Sequence, residues 1–298
     1  MTGNAILFVL IIVGGTVLLS WPLGRYMKWA MDPDAPELGL AGWKSRFMRI
    51  VGGRAARENQ DWRCYLLSLL VFNVVMFVIC FAILALQQEL PLNPDARGAL
   101  NPDLIFNTTA SFVTNTNLQH YSGEVSLSYL SQLAALMWLQ FVSAATGIAA
   151  LTALARGLSG RKGGIGNFFV DVQRSSFLVL LPVALIVAAM LVLQGVPMTF
   201  QGSAVATTLE GAMQTIARGP VAAFIAIKQI GTNGGGFFGP NSTHPFENPT
   251  FWTNAISMVA IILIPMASVW LFGRITGRMR HAMVRFGLML VFLLVKIG

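Results

Sequence analysis

Five stretches of the chain, residues 1–26 (apart from Arg25), 64–88, 125–155, 175–209 and 248–273, contain no charged side chain. An apolar run of roughly 20 residues is what a helix needs to cross about 30 Å of hydrocarbon, so the pattern predicts five membrane-spanning helices. Composition agrees, with 55% hydrophobic and 11% charged residues; a soluble domain carries about 25% charged. A sixth apolar stretch, 286–295, stops at Lys296 and is too short to span.

The net charge of +8 would suit nucleic acid, but its placement points to a membrane. Of the 20 Lys and Arg, eight lie in 25–63, four in 156–174 and four in 274–285. The intervening connections hold only Arg97 in one and Arg218 with Lys228 in the other. Rich and poor segments alternate with each crossing, which by the positive-inside rule puts the basic segments in the cytoplasm and the N-terminus outside. Lipid is therefore an expected partner and nucleic acid is not. Residues 1–20 lack a positive n-region, and their basic residues follow the apolar run, so a retained first helix is expected, not a cleaved signal peptide. Trp21, Trp29, Trp43 and Trp62 suit interfacial anchoring, and the basic segment around them suits anionic lipid or a partner subunit equally. Cys64 and Cys80 fall on one predicted helix, where they can neither pair nor build a metal site.

After the first crossing a pattern occurs twice. A basic segment leads into a long apolar helix (65–86, then 176–193), then a polar outer stretch marked by Pro and Gly. An apolar segment too short to span follows, then a Thr/Asn/Gly run, a second crossing (127–154, then 251–272) and another basic segment. The repeats lie about 117 residues apart when Asn115 is set against Thr232. The short segments begin Asn101-Pro102-Asp103 and Gly219-Pro220 and run to about Phe112 and Ile230. Asn or Gly before Pro is a helix-start signal. Eleven or so residues at about 1.5 Å each reach half-way through a bilayer. Such a helix must turn back, and irregular backbone at that depth is tolerated only where it lines a cavity or is buried in protein. Its C-terminus then brings partial negative charge to the membrane centre, which favours a cation.

The runs at these turns are Asn115-Thr116-Asn117 and Gly231-Thr232-Asn233-Gly234-Gly235-Gly236. Their small and amide side chains leave backbone carbonyls free to replace the water around a cation. Asparagine tolerates positive φ, and the three glycines suit the turn back in the second copy for the same reason. Thr232 and Asn233 are expected to hold the loop through side-chain hydrogen bonds, with Gln119 just outside the narrowest point. The residues alone leave open a second reading, in which both runs are polar outer loops of a transporter without an ion filter.

Three segments carry a resemblance: Leu23-Gly24-Arg25-Tyr26-Met27, the run from Phe106 through Thr114-Asn115-Thr116-Asn117-Leu118-Gln119, and Gly231 to Phe238 with His244-Pro245-Phe246-Glu247-Asn248-Pro249. Together they closely resemble the potassium-binding subunits of bacterial Kdp-type potassium-transporting ATPases, over essentially the whole chain. The resemblance implies an all-α polytopic fold of the potassium-channel-like superfamily, with two helix–pore helix–filter–helix repeats after an extra N-terminal helix. It implies a potassium ion as the bound species, no organic cofactor, and a bacterial inner-membrane location. It also implies as partners a P-type ATPase catalytic subunit, a periplasmic-facing accessory subunit and a small single-helix subunit. Filter carbonyls would come from Asn115, Thr116, Asn117, Thr232, Asn233 and Gly234. Gln119 and Gly234 fall where the family tunes selectivity, and Gly235 lies beside the filter.

The family has four such units and about twice this length. The chain is thus expected to be a single transmembrane domain with helix 1–26, repeats 64–155 and 171–275, and the start of a third at 281–298. A truncated or split version of a longer subunit is the expectation; a dimer of halves or a second polypeptide would also close the ring. Functional alternatives are a passive channel or ion-symporter subunit, or an inactive fragment.

Other residues have plainer readings. His120 and His244 are expected to brace loops, as are Glu124 and Glu247, which could also draw cations to the mouth. Lys228 would repel a cation, and is expected to bind its own helix's carbonyls or to face a partner. Arg218 is read as decorating a wet loop. Gly163-Gly164-Ile165-Gly166 lacks a βαβ setting and reads as a flexible turn. Asn107-Thr108-Thr109 and Asn241-Ser242-Thr243 match glycosylation acceptors by chance. The chain has no Walker motif, phosphorylation sequence or catalytic triad, so no catalytic site is expected on it.

Overall fold

The computed structural model describes residues 3–31, 58–160 and 164–297. The basic stretch 32–57 with Trp43, the residues Arg161, Lys162 and Gly163, and Gly298 lie outside the described residues. The fold is a polytopic helical one. Helices α1 (Gly3–Met31), α2 (Trp62–Ala85), α5 (Ser131–Leu158), α6 (Phe168–Leu193) and α8 (Phe251–Thr276) are long and apolar enough to cross a membrane. Between them lie the short α3 (Pro102–Val113), α4 (Gly123–Ser126) and α7 (Val221–Ile230), and α9 (Met279–Ile297) follows α8.

Several boundaries depart from the uncharged runs. The first helix continues past Tyr26 to Met31, with Pro22 inside it. The expected crossing 127–154 begins at Ser131 instead, after the turn of helix α4. There Gln87 spans the gap: its amide nitrogen donates to the carbonyls of Gly98 and Ser126, and its oxygen accepts from Ser128 N–H and Ser131 Oγ. The run 175–209 divides. Its helix starts earlier, at Phe168, where the Asn167 side chain accepts from the backbone N–H groups of Phe169 and Val170. Its tail forms a hairpin, β1 (Ala204–Thr207) paired antiparallel with β2 (Met213–Ile216). Among the described residues this two-stranded hairpin is the only sheet in an otherwise all-α fold. Pi-helical turns open α5 at Ser131–Met137 and widen α6 at Ser175–Leu180.

The chain divides into two compact units. The first comprises Met1–Phe72, Ala145–Val179 and Ile262–Gly298. Its core includes Met266, Trp270, Ala282 and Phe286, and Trp270 Nε1 donates to Ser20 Oγ at 3.0 Å. A buried ion pair fastens it elsewhere. Arg156 grips Asp171 with both nitrogens, at 2.6 and 3.0 Å, and also donates to the carbonyls of Met31 and Ile165. The Tyr65 hydroxyl donates to the same carboxylate. The turn at Gly166, with φ of +101°, wraps so closely around the Arg156 guanidinium that a Cβ would collide with it. Gly166 is thus fitted around a buried cation.

The second unit comprises Asn73–Ala144 and Leu180–Ile261. Phe112, Phe224, Phe237 and Phe238 are fully or almost fully buried in it. Phe237 meets both Phe224 and Phe238 edge to face. The short helices α3, α4 and α7 and both Thr/Asn/Gly runs belong to this unit.

Candidate functional site

The site is built on two helices that end alike. In α3 the chain enters through an extended Asn101 with Pro102 at the start of the helix; in α7 the proline, Pro220, sits one position earlier, at the N-cap. The two helices have 12 and 10 residues, about 18 and 15 Å of rise, and neither could span a bilayer. At the end of α3, Asn115 N–H donates to Phe112 O and Thr116 N–H to Ser111 O. At the end of α7, Thr232 N–H donates to Gln229 O and Asn233 N–H to Lys228 O. Each is a Schellman closure, whose first residue beyond the cap adopts positive φ and is usually glycine. Here the residues are Asn115 at +61° and Thr232 at +57°.

The closures decide which way the backbone polar groups face. Asn117 N–H also returns to Ser111 O, and Leu118 N–H to Ser111 Oγ, so the amides of residues 115–118 are all held by the helix end. Among the described residues, no donor reaches the carbonyl oxygens of Asn115, Thr116, Asn117, Thr232, Asn233 or Gly234. Asn117 also has positive φ, +55°. In the second loop the expectation for glycine fails: none of Gly234, Gly235 and Gly236 takes positive φ, and Thr232 makes the turn. The glycines serve close approach. A Cβ on Gly235 would enter the Phe112 ring, and one on Gly234 would stand 3.3 Å from Thr116 O and 3.4 Å from Asn117 O.

The two loops are joined residue by residue. Asn115 Nδ2 donates to Gly231 O at 3.3 Å and Asn117 Nδ2 to Asn233 Oδ1 at 2.8 Å. Gln119 pairs with the backbone of Gly236 in both directions, donating to its carbonyl at 2.9 Å and accepting from its N–H at 2.8 Å. Thr232 Oγ1 bonds to the neighbouring Gly231 carbonyl, and Asn233 Nδ2 lies 3.4 Å from Ile227 O and 3.5 Å from Gln140 O.

Two supporting residues escaped the sequence reading. Gln140 Nε2 donates to Gly235 O at 2.8 Å, and Ser143 Oγ donates to Asn115 Oδ1 at 2.8 Å. Their signal was available: two polar residues three apart in an apolar crossing, which in a membrane helix mark a side-chain contact to other segments.

Charge around the loops is neutralised. Lys228 Nζ lies 2.9 Å from Glu247 Oε2, with both side chains buried. The lysine thus binds a carboxylate, and not the carbonyls of its own helix. Glu247 also accepts from Phe238 N–H and Ser242 N–H, which makes it a loop brace. Glu124 braces Gly239 N–H at 2.8 Å. His244 stacks on Phe238 with ring centroids 3.7 Å apart, and its Nδ1 accepts from Phe246 N–H. His120 is exposed. Arg218 is tied down: its Nε donates to Gly202 O, and its carbonyl accepts from the Tyr129 hydroxyl. Among the described residues no group of three or more His, Cys, Asp or Glu could hold a metal ion.

The sequence-family model described as potassium-transporting ATPase A subunit matches residues 8–298. A potassium-transporting ATPase potassium-binding subunit from Pseudomonas aeruginosa is 48% identical over 301 residues, covering 100% of this chain and 53% of the relative. Those from Alicyclobacillus acidocaldarius and Caldanaerobacter subterraneus are 47% and 43% identical, over 95% and 100% of this chain and 51% and 53% of the relatives. The chain spans about half the length of the curated relatives it matches. With two Schellman-closed half-helices presenting carbonyl-lined loops, and a match that runs almost from end to end, the chain belongs to the family of potassium-transporting ATPase A subunits.

Proposed function

We propose that this chain binds and selects potassium through its two loops and passes it to a P-type ATPase partner for ATP-driven uptake. The observation that supports the reading is the one-sided backbone: six carbonyl oxygens that no donor among the described residues reaches, with the amides of residues 115–118, 232 and 233 turned into the helix ends. Carbonyl dipoles replace the hydration shell of a potassium ion and offer nothing to an anion. The relatives' names add potassium as the ion and an ATPase as the assembly. In this reading the chain supplies two helix–pore helix–filter–helix units of the potassium-channel-like kind, with Asn115, Thr116, Asn117, Thr232, Asn233 and Gly234 as the filter. It sits in the bacterial inner membrane with its N-terminus outside, beside the catalytic subunit, a periplasmic-facing accessory subunit and a small single-helix subunit. ATP is hydrolysed by the partner.

Gly234→Asp tests the filter. Its Cβ would crowd Thr116 O and Asn117 O, and its charge would change the field on the ion. In the assembled complex, potassium-over-sodium preference in ion-stimulated ATP hydrolysis should fall by about tenfold or more, equivalent to roughly 1.4 kcal/mol. Unchanged preference in a transporting complex would remove Gly234 from the ion path.

A further inference from the structure

The buried Lys228–Glu247 pair leads, through one further residue, to Gln119. Lys228 Nζ is 3.5 Å from Asn241 Oδ1, at the outer limit of a hydrogen bond. Asn241 Nδ2 donates to Gln119 Oε1 at 2.8 Å. That same oxygen accepts from Gly236 N–H, and the Gln119 amide nitrogen donates to the Gly236 carbonyl. Each amide in the series is oriented by the one before. An ammonium group attracts only the oxygen end of Asn241, which leaves the nitrogen end for Gln119. A donor from Asn241 in turn fixes Oε1 of Gln119 as the acceptor and Nε2 as the donor. The backbone makes room for this arrangement: a Cβ on Gly236 would overlap Asn241 Oδ1 and stand 2.8 Å from Glu247 Oε1.

We propose that Asn241, oriented by the buried Lys228–Glu247 pair, is a positioning residue that sets the amide of Gln119 against Gly236 and thereby tunes ion affinity at the filter. The inference rests on the functional reading above. It assigns a purpose to an ion pair that is otherwise costly, since burying two charges often contributes no net stability. A buried lysine beside a cation path is tolerable once Glu247 neutralises it, and its remaining field directs one asparagine. The outer loop 239–248 thus acts on the filter without presenting a group to the ion.

A double-mutant cycle in the ATPase assembly containing the complete chain tests this. The readout is the potassium concentration giving half-maximal ATP hydrolysis, and the maximal rate, for Asn241→Ala, Gln119→Ala and the pair. Asn241→Ala should raise half-saturation roughly three- to tenfold, the worth of one hydrogen bond, with the maximal rate within about twofold. In the Gln119→Ala background it should add nothing, because a residue that acts through another has no effect once that one is gone. Asn241→Asp keeps the acceptor for Lys228 but loses the donor to Gln119, so it should match Asn241→Ala and covers the case in which alanine fails to assemble. Fully additive effects, or an Asn241 variant with unchanged half-saturation beside an impaired Gln119→Ala, would overturn the positioning role alone. An unaffected Gln119→Ala would overturn the functional reading and this inference with it.

Discussion

Thr232 holds the least comfortable backbone in the candidate site. Positive φ is uncommon for any non-glycine residue and strained for a β-branched one, at a cost of about 1–3 kcal/mol. Its Oγ1 bond to Gly231 O and the inter-loop bond onto that same carbonyl from Asn115 hold it there. Thr232→Gly should therefore leave the thermal stability of the purified protein unchanged or raise it by about 1 kcal/mol, while lowering potassium-over-sodium preference. Unfolding in detergent and ion-stimulated hydrolysis measure the two, and a loss of stability without a loss of preference would refute the account. At this scale the sequence was half legible. Asn115 and Asn117 were read correctly as tolerant of positive φ. Thr232 was missed because threonine is the wrong residue for such a turn, and the adjacent glycines advertised a freedom that they use for clearance.

At the scale of elements, the half-helices were legible from Asn-Pro and Gly-Pro at their starts and from their apolar length. The ends of the long helices were not, because charges were taken as stops. Asp171 lies inside α6 and Arg156 inside α5, and each is buried against the other. A charge whose partner is distant in sequence cannot be recognised as internal from its own neighbourhood. The same pair yields a stability test: Asp171→Ala leaves a buried guanidinium unpaired and should cost about 3–5 kcal/mol in thermal unfolding. The paired replacement Arg156→Met with Asp171→Leu should recover most of it, and equal losses in both would show that the ion pair itself supplies the stability. The hairpin was invisible for a different reason. Ala-Val-Ala-Thr continues an apolar run without a break, and the feature that makes it a strand is its partner at 213–216.

For the whole molecule, the uncharged apolar runs imply five crossings, and the described residues contain five helices able to make them. The orientation can be tested with two thiols. Cys64 is exposed near the start of α2, after the basic segment, and Leu209 is fully exposed at the tip of the hairpin. An impermeant maleimide added to intact cells should label Leu209→Cys and reach Cys64 only after permeabilisation. The opposite pattern would invert the topology. Arg156 is no guide to it, since that guanidinium is occupied by Asp171.

The helix closures at Ser111–Thr116 and Lys228–Asn233 have a chemical consequence that width alone would not supply. In the first loop each amide hydrogen from Asn115 to Leu118 is spent on the helix behind it. On the proposed reading a chloride ion arriving there would meet backbone oxygens and no free backbone N–H from residues 115–118. On that reading, rejection of anions follows from the way this helix ends, with the Ser111 hydroxyl holding the last of the four amides.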